Sequence, residues 1–117
     1  MHLQILAMID IYREDPGNLL LNLQIQDANM GHADAFKADL INIFDTHQKK
    51  RLIINMEEVK YIDSSFLGAL VSALKYVISF KSDIILVGMR KDIVNLFALI
   101  RLDKVFKIYD NFNDALA

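Results

Sequence analysis

Short unbroken apolar runs alternate along this chain with segments whose apolar residues recur every three or four positions. That alternation admits few folds. The runs Leu52-Ile53-Ile54-Asn55-Met56 and Asp83-Ile84-Ile85-Leu86-Val87-Gly88 have the length and branched content of strands covered on both faces. Between them, residues 64–80 place Leu67, Leu70, Val71, Leu74, Val77 and Ile78 on one face of a helix. Ile93, Leu96, Phe97 and Ile100 mark one face of another. Residues 105–109 read as a last short strand, and Asn111 as the cap of a terminal helical turn through Asn113-Asp114-Ala115-Leu116. Strands joined through helices pair in parallel by right-handed crossovers.

Upstream of this region, residues 3–13 and 19–26 are apolar-rich runs separated by Asp15-Pro16-Gly17-Asn18. Proline presets φ, and glycine or asparagine accepts a turn's positive φ, so the two runs predict an antiparallel hairpin. Asp27-Ala28-Asn29-Met30-Gly31-His32 interrupts the pattern before Ala33, Phe36, Leu40, Ile43 and Phe44 return at helical spacing. The basic run ending Thr46-His47-Gln48-Lys49-Lys50-Arg51 suits the negative end of that helix. The expected fold is α/β, with about four helices and a mostly parallel sheet edged by an N-terminal antiparallel hairpin. The 117 residues suit one domain, 1–117.

Composition narrows the function. Although 54% of residues are hydrophobic, no window approaches the ~18 uncharged apolar residues of a membrane span, so no direct membrane insertion is expected. The start Met1-His2-Leu3-Gln4-Ile5 lacks a signal-peptide pattern, and the chain has no cysteine; both point to a cytoplasmic protein. A net charge of −2 gives no footprint for nucleic acid. His2, His32 and His47 lack metal-ligand spacing, and Gly17, Gly31, Gly68 and Gly88 form no phosphate-cradling loop, so neither metal nor cofactor is expected. Asp63-Ser64 has no histidine near it in sequence to serve as a base, which argues against a serine hydrolase and against an enzyme.

Attention therefore falls on the start of the helix at 64–80. Asp63 and Ser64 stand where N-cap residues belong, and capping alone accounts for them. The helix that follows is unusual for a surface helix, because Lys75 is its single charged residue. Phe66, Ala69, Ala73, Tyr76 and Phe80 lie off its core stripe. Either the helix is sandwiched between the sheet and a neighbouring helix, or these residues form an apolar docking surface.

Ile62-Asp63-Ser64-Ser65-Phe66-Leu67-Gly68-Ala69-Leu70 resembles the Asp-Ser-Ser/Thr-Gly-Leu-Gly segment of STAS domains, above all that of the bacterial anti-sigma factor antagonists. Leu102-Asp103-Lys104-Val105-Phe106-Lys107-Ile108-Tyr109-Asp110 is similar to the family's approach to its last strand. The resemblance implies a single STAS domain that binds an anti-sigma serine kinase in a partner switch. It implies Ser64 as the phosphorylated residue, with Asp63, Ser65 and Phe66 shaping the site and a phosphatase resetting it. Phe66 stands where the family usually has glycine, placing a ring one turn from the hydroxyl. Gln24-Ile25-Gln26-Asp27 keeps the acid, though not the glycine, of the family's Gly-x-Leu/Ile-Asp, so Asp27 is carried to the site beside its plainer reading as a turn former. The alternative reading is a constitutive STAS subunit of a membrane lipid transport ATPase complex, in which Ser64 is only a cap. Self-association as a homodimer through the hairpin edge stays open.

Overall fold

The computed structural model describes residues 7–117, so the part of the expected first strand at residues 3–6 lies outside the described residues. Strands β1 (Ile9–Glu14) and β2 (Asn18–Leu23) form the antiparallel hairpin. Its turn is locked by Asp15, whose Oδ1 accepts from the N–H groups of Gly17 (3.0 Å) and Asn18 (2.9 Å) and from the Asn18 side chain (3.0 Å). The Asn18 side chain and then the Gly17 N–H hold this carboxyl below its ordinary range.

The chain continues through β3 (Asp27–Ala28), α1 (Met30–His47), β4 (Arg51–Asn55), β5 (Tyr61–Ile62), α2 (Ser64–Ser79) and β6 (Asp83–Val87). It closes with α3 (Lys91–Leu99), a 3-10 turn (Leu102–Lys104), β7 (Lys107–Tyr109) and α4 (Phe112–Leu116). Five strands form the main sheet in the order β1-β2-β4-β6-β7, and β2, β4, β6 and β7 are parallel. The pairs β2–β4 and β4–β6 align Leu20, Ile53 and Ile85 in one row and Leu21, Ile54 and Leu86 in the next. Alternate rows point to opposite faces. Leu19, Leu21, Leu52, Ile54, Ile84 and Leu86 pack with Phe36, Phe66 and Phe97 of α1, α2 and α3. On the reverse face Leu20, Ile53, Ile85 and Val87 are covered by Phe112, Ala115 and Leu116 of α4. Arg51 secures that short helix by donating from Nη1 to the Ala115 carbonyl (2.9 Å) and from Nε to Asn18 Oδ1 (2.7 Å).

Several boundaries differ from the sequence reading, each for a local reason. Asp27 and Ala28 are not part of a plain loop: they form β3, which pairs in parallel with β5 as a separate small sheet. Helix α1 begins at Met30, earlier than Ala33, because Asn29 caps it by accepting from the Gly31 N–H (3.0 Å). The last strand begins at Lys107 because the 3-10 turn occupies the preceding residues, leaving Val105 half exposed. Ile100 lies beyond α3 and is exposed, next to Arg101 at a positive φ of 64°. Ile78 was expected in the core stripe of α2 but is also exposed.

Gly88, just after β6, has φ +71°, and a Cβ there would lie 2.6 Å from Asn55 Oδ1. That carboxamide cannot easily withdraw, since its Nδ2 donates to Asn22 Oδ1 (3.0 Å). Gly88→Ala should therefore destabilise the protein by about 2 kcal/mol. A lowered urea midpoint with unchanged slope would show this. Gly17→Ala, with nothing within 4 Å of the added Cβ, should change stability by less than about 0.5 kcal/mol.

Candidate functional site

The start of α2 and the start of α1 meet at one carboxylate. The pairing of β3 with β5 sets Asp27 beside Tyr61 and Ala28 beside Ile62. The next residue, Asp63, donates its N–H to the Ala28 carbonyl (3.0 Å). Asp63 Oδ1 accepts from the Phe66 N–H (2.9 Å), which makes it the N-cap of α2. Its Oδ2 accepts from the Met30 N–H (2.8 Å), the first residue of α1, 33 positions earlier. One side chain thus satisfies orphan donors on two helices, and it sets a negative charge between two positive dipole ends.

Ser64 and Ser65 are the first two residues of α2, and both are exposed. Their N–H groups have no acceptor within the helix. Beside them runs a shallow groove of about 360 Å³ between α1 and α2, walled by Met30, Ala33 and Lys37 on one side and Ser65, Gly68 and Ser72 on the other. Gly68 leaves the floor open, with nothing within 4 Å of where a Cβ would stand. Asp27 is exposed on β3, and its carbonyl accepts from His32 Nδ1 (2.9 Å). Among the described residues no three His, Asp or Glu side chains gather as they would around a metal ion.

Phe66 is not on this surface. Its side chain is fully buried, with its ring centroid 4.5 Å from that of Phe36 on α1. The residue is the third of α2, four positions before Leu70 and seven before Ala73, so its side chain falls on the buried side of the helix. Ala73 is also fully buried, while Ala69 and Tyr76 are half buried. Of the off-stripe residues only Phe80, at the far end of the helix, is well exposed (57%). The low charge of α2 therefore reflects a helix sandwiched between α1 and the sheet.

Ser64, Ser65, Asp63 and Asp27 are thus gathered at one end of the molecule, and Phe66 lies beneath them. Two residues that sequence reasoning passed over complete the surface: Met30 at 73% exposure and Tyr61 at 71%. Asn29 before an apolar-periodic segment was a legible cap signal for Met30. Tyr61 sits in a two-residue strand, too short for any periodicity.

The geometry defines a class of protein first: a small α/β module with three helices on one face of its sheet, whose distinctive feature is an exposed hydroxyl at a helix start. The STAS domain model matches residues 12–115, and the chain belongs to the STAS domain family. A Thermotoga neapolitana protein named as a candidate anti-sigma factor antagonist is 29% identical over 91 residues, covering 78% of this chain and 80% of that one. The anti-sigma-B factor antagonist of Listeria monocytogenes is 25% identical over 100 residues, covering 75% of this chain and 88% of its own. Among solved structures, the anti-sigma factor antagonist SpoIIAA in its unphosphorylated form superposes with a TM-score of 0.75 at 13% identity, over 92% of each chain. The Bacillus SpoIIAA in its phosphorylated form gives 0.68, over 92% of this chain and 96% of that one. No helix among the described residues is long and apolar enough to cross a membrane.

Removing the shared acceptor should be felt by both helices. Asp63→Ala is expected to lower stability by about 1–2 kcal/mol, and Asn29→Ala, which frees one donor, by about 1 kcal/mol or less. Urea denaturation of the two variants beside the parent checks the order.

Proposed function

We propose that this protein is an anti-sigma factor antagonist acting through a phosphorylation-controlled partner switch. The observation that carries the reading is the position of Ser64: exposed, first in α2, and next to Ser65, which lines the groove opposite Met30. Unmodified, this end of the molecule docks on an anti-sigma factor that is also a serine kinase, and the docking frees the sigma factor. The names of the relatives and the family membership support the partner's class.

The partner kinase moves the γ-phosphoryl group of a nucleoside triphosphate onto Ser64 Oγ. The new O–P bond forms as the bridging bond to the β-phosphate breaks, the hydroxyl proton passes to a base on the kinase, and the nucleoside diphosphate leaves. The chain supplies the acceptor and no base of its own, because both oxygens of the adjacent Asp63 are engaged by backbone N–H groups. Phosphorylation adds ~1.5 to 2 negative charges. The free N–H groups and dipole of the first turn accommodate an anion, so α2 stays folded. The effect falls on the interface, where a charge would have to be desolvated against a partner that fits a neutral hydroxyl. A phosphatase that hydrolyses the ester restores binding. The protein is regulatory, with no reaction of its own, a single domain, and placed in the cytoplasm with its partners.

A permanent place in a membrane transport complex would draw on the ring of Phe66 and on the low charge of α2, and that low charge belongs to the interior. Burial of that ring against Phe36 removes this support.

The test is capture from native cell extract followed by binding measurements with the recovered kinase. Wild type and Ser64→Ala should retain it, and Ser64→Asp should bind on the order of 100-fold more weakly. Phosphate transfer should vanish with Ser64→Ala and persist with Ser65→Ala. Gly68→Leu, which fills the groove, should weaken binding roughly tenfold while leaving stability near that of the parent. Undiminished binding by Ser64→Asp, or equal retention of a transporter ATPase by every variant, would overturn the reading.

A further inference from the structure

Asp63 stands next to the proposed phosphoacceptor, yet half of its hydrogen bonding is spent on a different helix. Its Oδ1 serves the Phe66 N–H of α2 at 2.9 Å, and its Oδ2 serves the Met30 N–H of α1 at 2.8 Å. A carboxylate is a rigid planar group, so it cannot turn away from a neighbour without giving up at least one of these bonds. The two donors are not equally replaceable. The Phe66 N–H lies in the first turn of the helix that carries Ser64, where the unpaired N–H groups and the helix dipole favour an anion. The Met30 N–H, first in α1, has no acceptor within its own helix. The neighbouring cap, Asn29, is already occupied by the Gly31 N–H (3.0 Å).

We propose that Asp63 is a positioning residue that couples the charge on Ser64 to the first turn of α1. Resting on the switch reading above, the coupling runs as follows. A negative charge on Ser64 repels the adjacent carboxylate and takes over the capping of α2. Asp63 swings off, α2 keeps its cap, and the Met30 N–H loses the acceptor it has among the described residues. The first turn of α1 loosens. That turn carries Met30 and leads into Ala33 and Lys37, the wall of the groove opposite Ser65 and Gly68. The modification thus acts twice on the docking surface, through its own charge and by unsettling the facing wall. The small sheet of β3 and β5 is what brings the two helix starts within reach of one side chain, since the Asp63 N–H donates to the Ala28 carbonyl (3.0 Å) at its end.

The experiment is amide hydrogen exchange by NMR on the full chain, in four forms: wild type, Asp63→Asn, Ser64→Asp, and the double variant. Asparagine is itself a good N-cap, so Asp63→Asn keeps an oxygen for Phe66 and turns an NH₂ donor toward the Met30 N–H. Exchange at Met30 should rise roughly tenfold or more, while Phe66 changes by less than about threefold. Ser64→Asp should accelerate Met30 in the wild-type background and add nothing in the Asp63→Asn background. An unaltered Met30 rate in Asp63→Asn would overturn the proposal. So would an equal effect of Ser64→Asp in both backgrounds, which would mean charge acting through space or solvent. No partner is needed for these readings. Loss of the kinase by Ser64→Asp with Met30 unmoved would refute the coupling and keep the switch; a responding Met30 with the kinase retained would do the reverse.

Discussion

The parallel register of β2, β4 and β6 is the constraint from which the rest follows. Parallel strands all end at the same edge of a sheet, so the helices that follow them all begin near that edge. The strand order β1-β2-β4-β6-β7 advances in one direction, and right-handed crossovers then leave α1, α2 and α3 on a single face. Two helix N-termini are thereby delivered side by side, and the pairing of β3 with β5 closes the gap between them. A doubly wound sheet would place successive helices on opposite faces and open a crevice between them, the usual ligand site of such folds. Here the one-way winding leaves a surface with a shallow groove.

What was legible in the sequence follows from how strongly each element is buried. Strands β4 and β6 are covered on both faces, so their apolar runs leave little ambiguity, and α1, α2 and α3 each show a periodic stripe. The hairpin was readable from Asp15-Pro16-Gly17-Asn18 even though β1 is nearly all exposed, because the turn chemistry is local. The two-residue strands were not readable, since backbone pairing between residues 27–28 and 61–62 leaves no pattern in side-chain type. That small sheet matters most for the site, because it decides that Asp27 and Asp63 come together. Asp63 as cap was readable; its second bond, to Met30, was not, because it spans 33 positions.

Phe66 shows what is lost when a core stripe is drawn too narrowly. The expected stripe begins at Leu67 and leaves Phe66 outside it, although Phe66 stands four positions before Leu70 and seven before Ala73, on the same side of the helix. A helix with a neighbour as well as a sheet beneath it buries one broad arc, from Ala73 and Phe66 across to Leu67, and Phe66 meets α1 through Phe36. The same fact explains why Lys75 is the only charge on the helix. Low charge on α2 is therefore a property of the interior and gives no measure of its affinity for partners.

With most of α2 committed to the interior, the surface it presents at its N-terminal end is its first turn and the narrow strip of Ser65, Gly68 and Ser72. A partner reading so small an area gains little from buried apolar surface beyond Met30 and Tyr61, and the contact becomes sensitive to any change in charge at its centre. A serine at the first position of a helix suits that role. Its hydroxyl is held clear of the core, the helix beneath tolerates an anion, and the backbone need not refold for the surface to change its character. Under the proposed switch, stability and recognition fall to different atoms of the same turn: the carboxylate of Asp63 and the ring of Phe66 hold it in place, and the exposed hydroxyl of Ser64 is left for a partner to read.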